Sequence, residues 1–346
     1  MLIVYIDGGS GWEPISHMVN LATELFEAEL VMLDFRATKS IWAKLEMLLL
    51  KRHKLDSEET CLLICPDAYS FLSISQIQGW RKRFRCLAVW VIDSFWVERI
   101  PKVAKFSRPF DHIFITTEED IAAWTEIMQT QTTCLTWGSD ALRLGGFNLG
   151  ADSSYRAWDL TRIGRQPPEW DLDENTKKAC IDLNLKFHGR LQSHETPVKN
   201  QIALMQLYQE SKFLLAFSNI AHPNNYTHPT RQYITARWTD ALACGAVVAG
   251  IAPHEPSINR LLWEGSTLDL KSIKINEGLQ IITEAVKFWS PNQAIRNQKL
   301  ALERLDWRWR FAEIAVVLNE SPVLLGQEIK ILEQKLNSEK IDLLNS

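Results

Sequence analysis

The stretch Tyr233-Ile-Thr-Ala-Arg-Trp-Thr-Asp-Ala-Leu-Ala-Cys-Gly-Ala-Val-Val-Ala-Gly250 decides the fold. It reads as a short polar turn, an amphipathic helix over Tyr233 to Cys244, a stop at Gly245 and a strand over Ala246 to Ile251. The strand is apolar throughout, as suits a parallel sheet covered on both faces. A helix start carries unpaired N–H donors and the positive end of the macrodipole, which together favour a phosphate. Thr235 and Arg237 lie beside that end. Asp240 follows Arg237 by one helical turn, so its carboxylate is placed to accept from a ribose while the guanidinium holds a diphosphate. The same spacing also fits an ordinary helix and strand with a surface Arg–Asp pair.

Working outward, the same alternation recurs. Leu2 to Asp7 reads as a strand, Gly8-Gly9-Ser10-Gly11 as a turn, and Glu13-Pro14 as a helix start. Ile15, Met18, Val19, Ala22, Leu25 and Phe26 follow at helical spacing, and Leu30 to Leu33 returns as a strand. Strand-like runs at Thr60 to Cys65, Cys86 to Ile92, His112 to Thr116 and Thr133 to Trp137 alternate with helices such as Glu118 to Met128. Gly138 to Asp152 is small, polar and glycine-rich, as a connection would be. Alternation restarts with strands at Asp159 to Gly164, Leu185 to Gly189, Phe213 to Ser218 and Ala246 to Ile251. Helices are expected at Asp173 to Leu183 and Val198 to Glu210, and the chain is helical after about residue 272.

The fold class is therefore α/β: two Rossmann-like doubly wound domains, 1–145 and 151–305, facing across a cleft. A helical C-terminal extension, 306–346, follows and partly returns to the first domain. Ligands in such sheets bind at the carboxyl ends of the strands, which singles out the loops after Asp7, Ile92, Gly164, Gly189 and Ser218. The stripe Ile329, Leu332, Leu336, Leu343 in the last segment suits a terminal helix or a short coiled coil that would support a homo-oligomer.

Composition narrows the function. The chain has 346 residues, 46% hydrophobic and 23% charged, with a net charge of −4, a balance that excludes a disordered chain and argues against a general nucleic-acid binder. Charge is locally uneven: Arg36, Lys39, Lys44, Lys51, Arg52 and Lys54 oppose one acid, Glu46, across residues 36–54. Such a segment can rest on an anionic membrane surface, or pack its leucines on the sheet and leave its lysines to water. The six cysteines lie scattered in apolar runs and read as reduced core residues. With no signal peptide and no membrane-length apolar run, the expected location is cytoplasmic, with peripheral contact on the inner membrane face as an option.

In the first domain, Gly8, Gly9, Ser10 and Gly11 allow close backbone approach to an acceptor or a phosphate, although they lack the lysine of a P-loop and fit a plain tight turn equally. His17, one turn into the next helix, and Asp93, at the end of a strand, are candidate catalytic bases; a satisfied helix histidine and a loop cap are the structural alternatives. His222, His228 and His254 flank the donor segment, but their spacing matches no ligand motif and no metal is expected.

Five segments carry a resemblance to GT-B glycosyltransferases of the family 1/4 type: Thr136-Trp-Gly-Ser-Asp140, Asp159-Leu-Thr-Arg-Ile-Gly-Arg165, Ser211-Lys-Phe-Leu-Leu-Ala-Phe-Ser-Asn219, Tyr233 to Gly250, and Asp306-Trp-Arg-Trp-Arg-Phe311. The nearest subgroup is the spore-maturation-protein-like transferases. The resemblance implies a hexosyl-type transferase that takes sugar from a nucleotide sugar, as substrate rather than cofactor, to a glycan, lipid or protein hydroxyl. In it, Arg237 contacts the diphosphate, Asp240 holds the ribose, Ser218 and Thr235 line the phosphate pocket, and Arg165 supplies a second positive charge. Two positions depart from the family: Asp240 stands where Glu is usual, and Gln232 where another Glu is expected. Another GT-B enzyme, such as a sugar-nucleotide epimerase, and a catalytically silent glycan- or partner-binding relative are the alternatives.

Overall fold

The computed structural model describes residues 1–9, 11–33, 40–49, 57–146 and 155–344, with side chains through Asn337. Ser10, Arg36, Lys39, Lys51, Arg52, Lys54, the connection at 147–150 and the Leu343 side chain lie outside the described residues. The chain forms two compact units, one of residues 1–136 with 308–330 and one of 137–307 with 331–346.

The first unit is built on a parallel sheet of six strands, β1 (Leu2–Ile6), β2 (Glu29–Leu33), β3 (Thr60–Cys65), β4 (Cys86–Val91), β5 (His112–Ile115) and β6 (Gln131–Cys134), in the order β2-β1-β3-β4-β5-β6. Every residue of β1 and β3 is buried, which is why these strands read as unbroken apolar runs rather than as alternations. The helix Glu13–Leu25 starts with proline in its first turn and buries Ile15, Met18, Val19, Leu21, Ala22 and Leu25, the spacing that links β1 to β2 as a βαβ unit. The returning segment is anchored by side chains. Phe311 is fully buried and meets Phe26 edge to face at 6.2 Å between centroids. Arg310 donates from Nη2 to Thr136 Oγ1 at 2.8 Å, and Thr60 Oγ1 donates to Glu320 at 2.7 Å.

The second unit holds β7 (Trp158–Arg162), β8 (Phe187–His188), β9 (Ser211–Phe217), β10 (Val247–Ile251) and β11 (Thr267–Asp269), all parallel, in the order β11-β10-β9-β7-β8. The chain is thus α/β with two Rossmann-like doubly wound units and C-terminal helices. Strand β11 has no counterpart in the sequence reading, because three residues with one aliphatic side chain at a sheet edge carry no apolar run. The helix expected from Tyr233 begins only at Ala236, since Thr235 is extended at φ −131° and ψ 168°. In the last helix, Val323–Leu344, Leu332 is fully buried and Leu336 packs against the core around Trp238, so part of the expected coiled-coil stripe is used within the chain.

Gly245 ends the helix Ala236–Ala243 at φ +84°, and a Cβ there would sit 2.7 Å from Arg156 Nη2 and 2.8 Å from the Ala294 carbonyl oxygen. Both the left-handed backbone and the contacts oppose a side chain. Gly245→Ala is therefore expected to destabilise the second unit by about 2 kcal/mol or more, read as a lower urea midpoint at unchanged slope.

Candidate functional site

In the order β11-β10-β9-β7-β8, connections from β7 and β9 leave on opposite sides, so the switch point lies between these strands. Three sequence-predicted residues converge there. The loop after β7 contains Gly164, at φ +65°, and Arg165. The first turn of the helix Ala236–Ala243 supplies Arg237, whose side chain lies across Gly164, with Cδ 3.7 Å from where a Cβ would stand. Arg237 donates from Nη1 to the Arg165 carbonyl at 2.9 Å. The Arg165 guanidinium lies over the Tyr226 ring, 5.1 Å from its centroid, and its buried Nη1 has no hydrogen-bond partner. Thr235 occupies the N-cap position, yet its buried Oγ1 makes no capping bond and no other.

Two guanidiniums therefore stand together at a helix N-terminus, and among the described residues no carboxylate pairs with either. Burial lowers the Arg237 pKa, the Tyr208 hydroxyl opposes that shift, and the neighbouring Arg165 charge adds to it. His222 is likewise pushed below its ordinary value, first by burial and then by Arg165, with Arg237 contributing and Asp171 opposing. Positive charge is concentrated here, with Asp171 opposing it only in part, the condition an anion relieves.

Residues that the sequence reading passed over hold this arrangement. Arg162, fully buried at the end of β7, pairs with Asp173 at 2.5 Å, donates to the Gly164 carbonyl at 2.8 Å and also reaches the Asp171 carbonyl. Asp171 accepts from the Gln166 backbone N–H at 3.1 Å and from Arg190 Nη2 at 2.7 Å. The loop carrying Arg165 is tied down at several points. Asn219 clamps the segment before the helix, donating from Nδ2 to the carbonyls of His228 at 2.9 Å and Arg231 at 2.8 Å. The signals were an arginine inside a strand and an asparagine directly after one, both hard to reconcile with a plain core.

Ser218 is 3% exposed; its N–H donates to the Ile251 carbonyl at 2.8 Å and its Oγ accepts from the Ala221 N–H at 3.3 Å, so it shapes the turn after β9. Asp240, the expected ribose ligand, lies inside the unit. It is 2% exposed, with Oδ1 accepting from Ser139 Oγ at 2.7 Å and Oδ2 from Gln201 Nε2 at 2.8 Å. The residue three positions after Arg237 faces the interior of the unit, and a ribose would have to displace Gln201. Gln232 ties two loops, its Oε1 accepting from the His254 N–H at 3.1 Å. His228 Nδ1 accepts the Arg231 N–H at 2.8 Å, and among the described residues no three metal-ligating side chains converge.

In the first unit, Asp7 Oδ1 accepts from the Gly9 N–H at 2.9 Å, and Gly9 and Gly11 take φ +90° and +88°, folding a tight turn under the Trp12 ring. His17 lies half-buried in the following helix. Asp93, just past β4, shares a small pocket with Asp67, Trp96, Arg99 and Trp124. Burial, reinforced by the Asp67 charge, raises the Asp93 pKa to about 7. Asp67 also caps the turn Ala68–Gln76, accepting from the Tyr69 N–H at 2.9 Å, and Arg99 stacks on Trp96 at 3.3 Å to the centroid. A carboxyl that titrates near neutrality at a strand end can take or give a proton. Asp67 was absent from the sequence reading because one aspartate after a strand resembles any loop cap.

No protein-family model matches the chain, and no curated protein matches it. Among solved structures, a glycosyltransferase from Rickettsia africae ESF-5 is 10% identical with a TM-score of 0.47, over 97% of this chain and 98% of that one. A variant of TarM from S. aureus, solved with fondaparinux, α-GlcNAc-glycerol and UDP, is 13% identical with a TM-score of 0.45, over 81% of this chain. This chain spans 59% of TarM's length. The lipopolysaccharide outer core galactosyltransferase WaaB is 11% identical with a TM-score of 0.36, over 87% of this chain and 99% of that one.

Proposed function

We propose that the second unit binds the diphosphate of a nucleotide sugar and that the protein is a glycosyltransferase acting without a bound metal. The observation that carries this reading is the pairing of Arg165 and Arg237 at the switch point, beside a helix start where Arg165 Nη1 and Thr235 Oγ1 are buried without partners. Glycosyl transfer requires the leaving diphosphate to be stabilised as the anomeric carbon gains oxocarbenium character. The two guanidiniums and the helix N–H groups supply that charge. Donor recognition of the ribose falls to groups other than Asp240, whose oxygens are engaged. In the first unit, Asp93 is the proposed base for an inverting reaction on a glycan, lipid or protein hydroxyl, with His17 as the alternative. The five sequence segments favour a hexosyltransferase of the spore-maturation-like subgroup in the GT-B class.

Incubation with nucleotide sugars, with and without acceptor mixtures, tests the activity through release of free nucleoside diphosphate. Acceptor-dependent release is expected; conversion of the donor sugar without acceptor would assign an epimerase instead. One observation favours a second reading. Asp240 and Gln232 are both engaged by the protein itself, as suits a silent relative that binds but does not transfer. Binding without release across the donor panel would select that reading.

The charge environment adds a pH dependence. Because the folded-state His222 pKa is lowered, unliganded stability declines as pH falls through the ordinary histidine value of about 6.5. A bound diphosphate reverses the local sign and raises that pKa. Calorimetry in buffers of different ionisation enthalpy is expected to show proton uptake on nucleotide binding near pH 6, reduced in His222→Gln.

A further inference from the structure

The helix Ile41–Leu49 of the first unit buries Ala43 and Met47, yet leaves Ile41 71%, Trp42 80%, Leu45 40% and Leu49 72% exposed. Leu45 and Leu49 thus lie on the outer face, and the buried face carries Ala43 and Met47 instead. The inner face rests on the turns Ala68–Gln76 and Ala104–Phe106. The helix's single acid is turned inward: Glu46 accepts from Trp80 Nε1 at 3.0 Å and lies 3.9 Å from Arg81 Nε. What remains outside is apolar or cationic. Lys44 is exposed beside the apolar residues, and the turn Ala104–Phe106 carries exposed Lys105. Lys105 and Arg108 also line an open groove of about 620 Å³, with Asp111 the one acid in its lining and Gln129 and Gln131 among the rest. In sequence, further lysines and arginines flank the helix on both sides.

We propose that this face docks on an anionic lipid bilayer, with Trp42, Ile41, Leu45 and Leu49 at the acyl boundary and Lys44, Lys105 and Arg108 among the headgroup phosphates. An indole, aliphatic side chains and basic residues on one helix face form the pattern of an interfacial helix, and each cation near an anionic surface adds to binding. A second copy of the chain is a poorer occupant. Twofold packing would bring Lys44 and Lys105 of both copies toward the same seam, with no exposed acid on the helix to meet them.

Flotation of the intact protein with phosphatidylcholine vesicles, with and without phosphatidylglycerol, tests the inference. The protein is expected to float only with the anionic vesicles, and less as salt is raised. Trp42→Ser is expected to lower partitioning about tenfold, and Lys105→Ala with Arg108→Ala about 25-fold. All three side chains are exposed, so unchanged melting and nucleotide binding would show that the variants are folded and that donor binding is separate. Absence of flotation with either vesicle, flotation unaffected by Trp42→Ser, or Trp42-dependent self-association without vesicle binding would each overturn the membrane assignment.

Discussion

Arg237→Ala is expected to weaken binding of a nucleoside diphosphate roughly 30- to 150-fold, about 2–3 kcal/mol, the range for a hydrogen bond to a charged group. The effect should be large because Arg237 stands at the N-terminus of the helix Ala236–Ala243, and among the described residues its guanidinium donates one hydrogen bond, to the Arg165 carbonyl. The fold loses that bond and the packing of the side chain across Gly164. Removing a cation crowded by Arg165 also relieves repulsion and offsets part of that loss, so the melting temperature without ligand should change little. Arg237→Lys keeps the charge but not the planar fork, and an intermediate affinity is expected. Titration calorimetry on folded variants checks all three values; wild-type affinity in Arg237→Ala would remove the residue from the site.

Asp240→Ala is expected to act in the opposite way, costing about 2–4 kcal/mol of stability, since the buried Ser139 hydroxyl and Gln201 amide both lose their acceptor. The carboxylate acts on its interior neighbours. Burial raises the Tyr208 hydroxyl and Cys244 thiol pKa values, and the Asp240 charge is the second cause in both. Urea unfolding should therefore show the loss, while the variant that remains folded retains nucleotide affinity within a few-fold. A ribose-binding Asp240 would give the reverse: near-native stability and a large loss of binding.

The contrast between these two residues shows how far the sequence could be read. Helical spacing placed Arg237 and Asp240 one turn apart and correctly tied the stretch to a strand, a glycine stop and a buried β10. It did not settle where each side chain went. One turn on a short, nearly buried helix separates a residue beside the strand-end loop from one facing the neighbouring helix Pro197–Gln209, and that depends on Ser139 and Gln201, distant in sequence. The strands were legible wherever apolar runs were long, as at β1, β3 and β4, and illegible at the edge strand β11. Arg162 and Asn219 escape notice because their partners, Asp171 and Asp173 for the one and His228 and Arg231 for the other, lie in other segments and leave no local pattern, whereas Asp67 caps the turn that follows it as any loop aspartate would.

The most direct measurement is a thermal-shift titration of the wild-type protein with UDP, GDP, ADP and dTDP, because any ligand bound only by the folded state raises the melting temperature by mass action. A nucleotide site built on Arg165, Thr235 and Arg237 requires a saturable rise with at least one of the four, abolished or sharply reduced in Arg237→Ala. No rise with any nucleotide, or an equal rise in the variant, would contradict it.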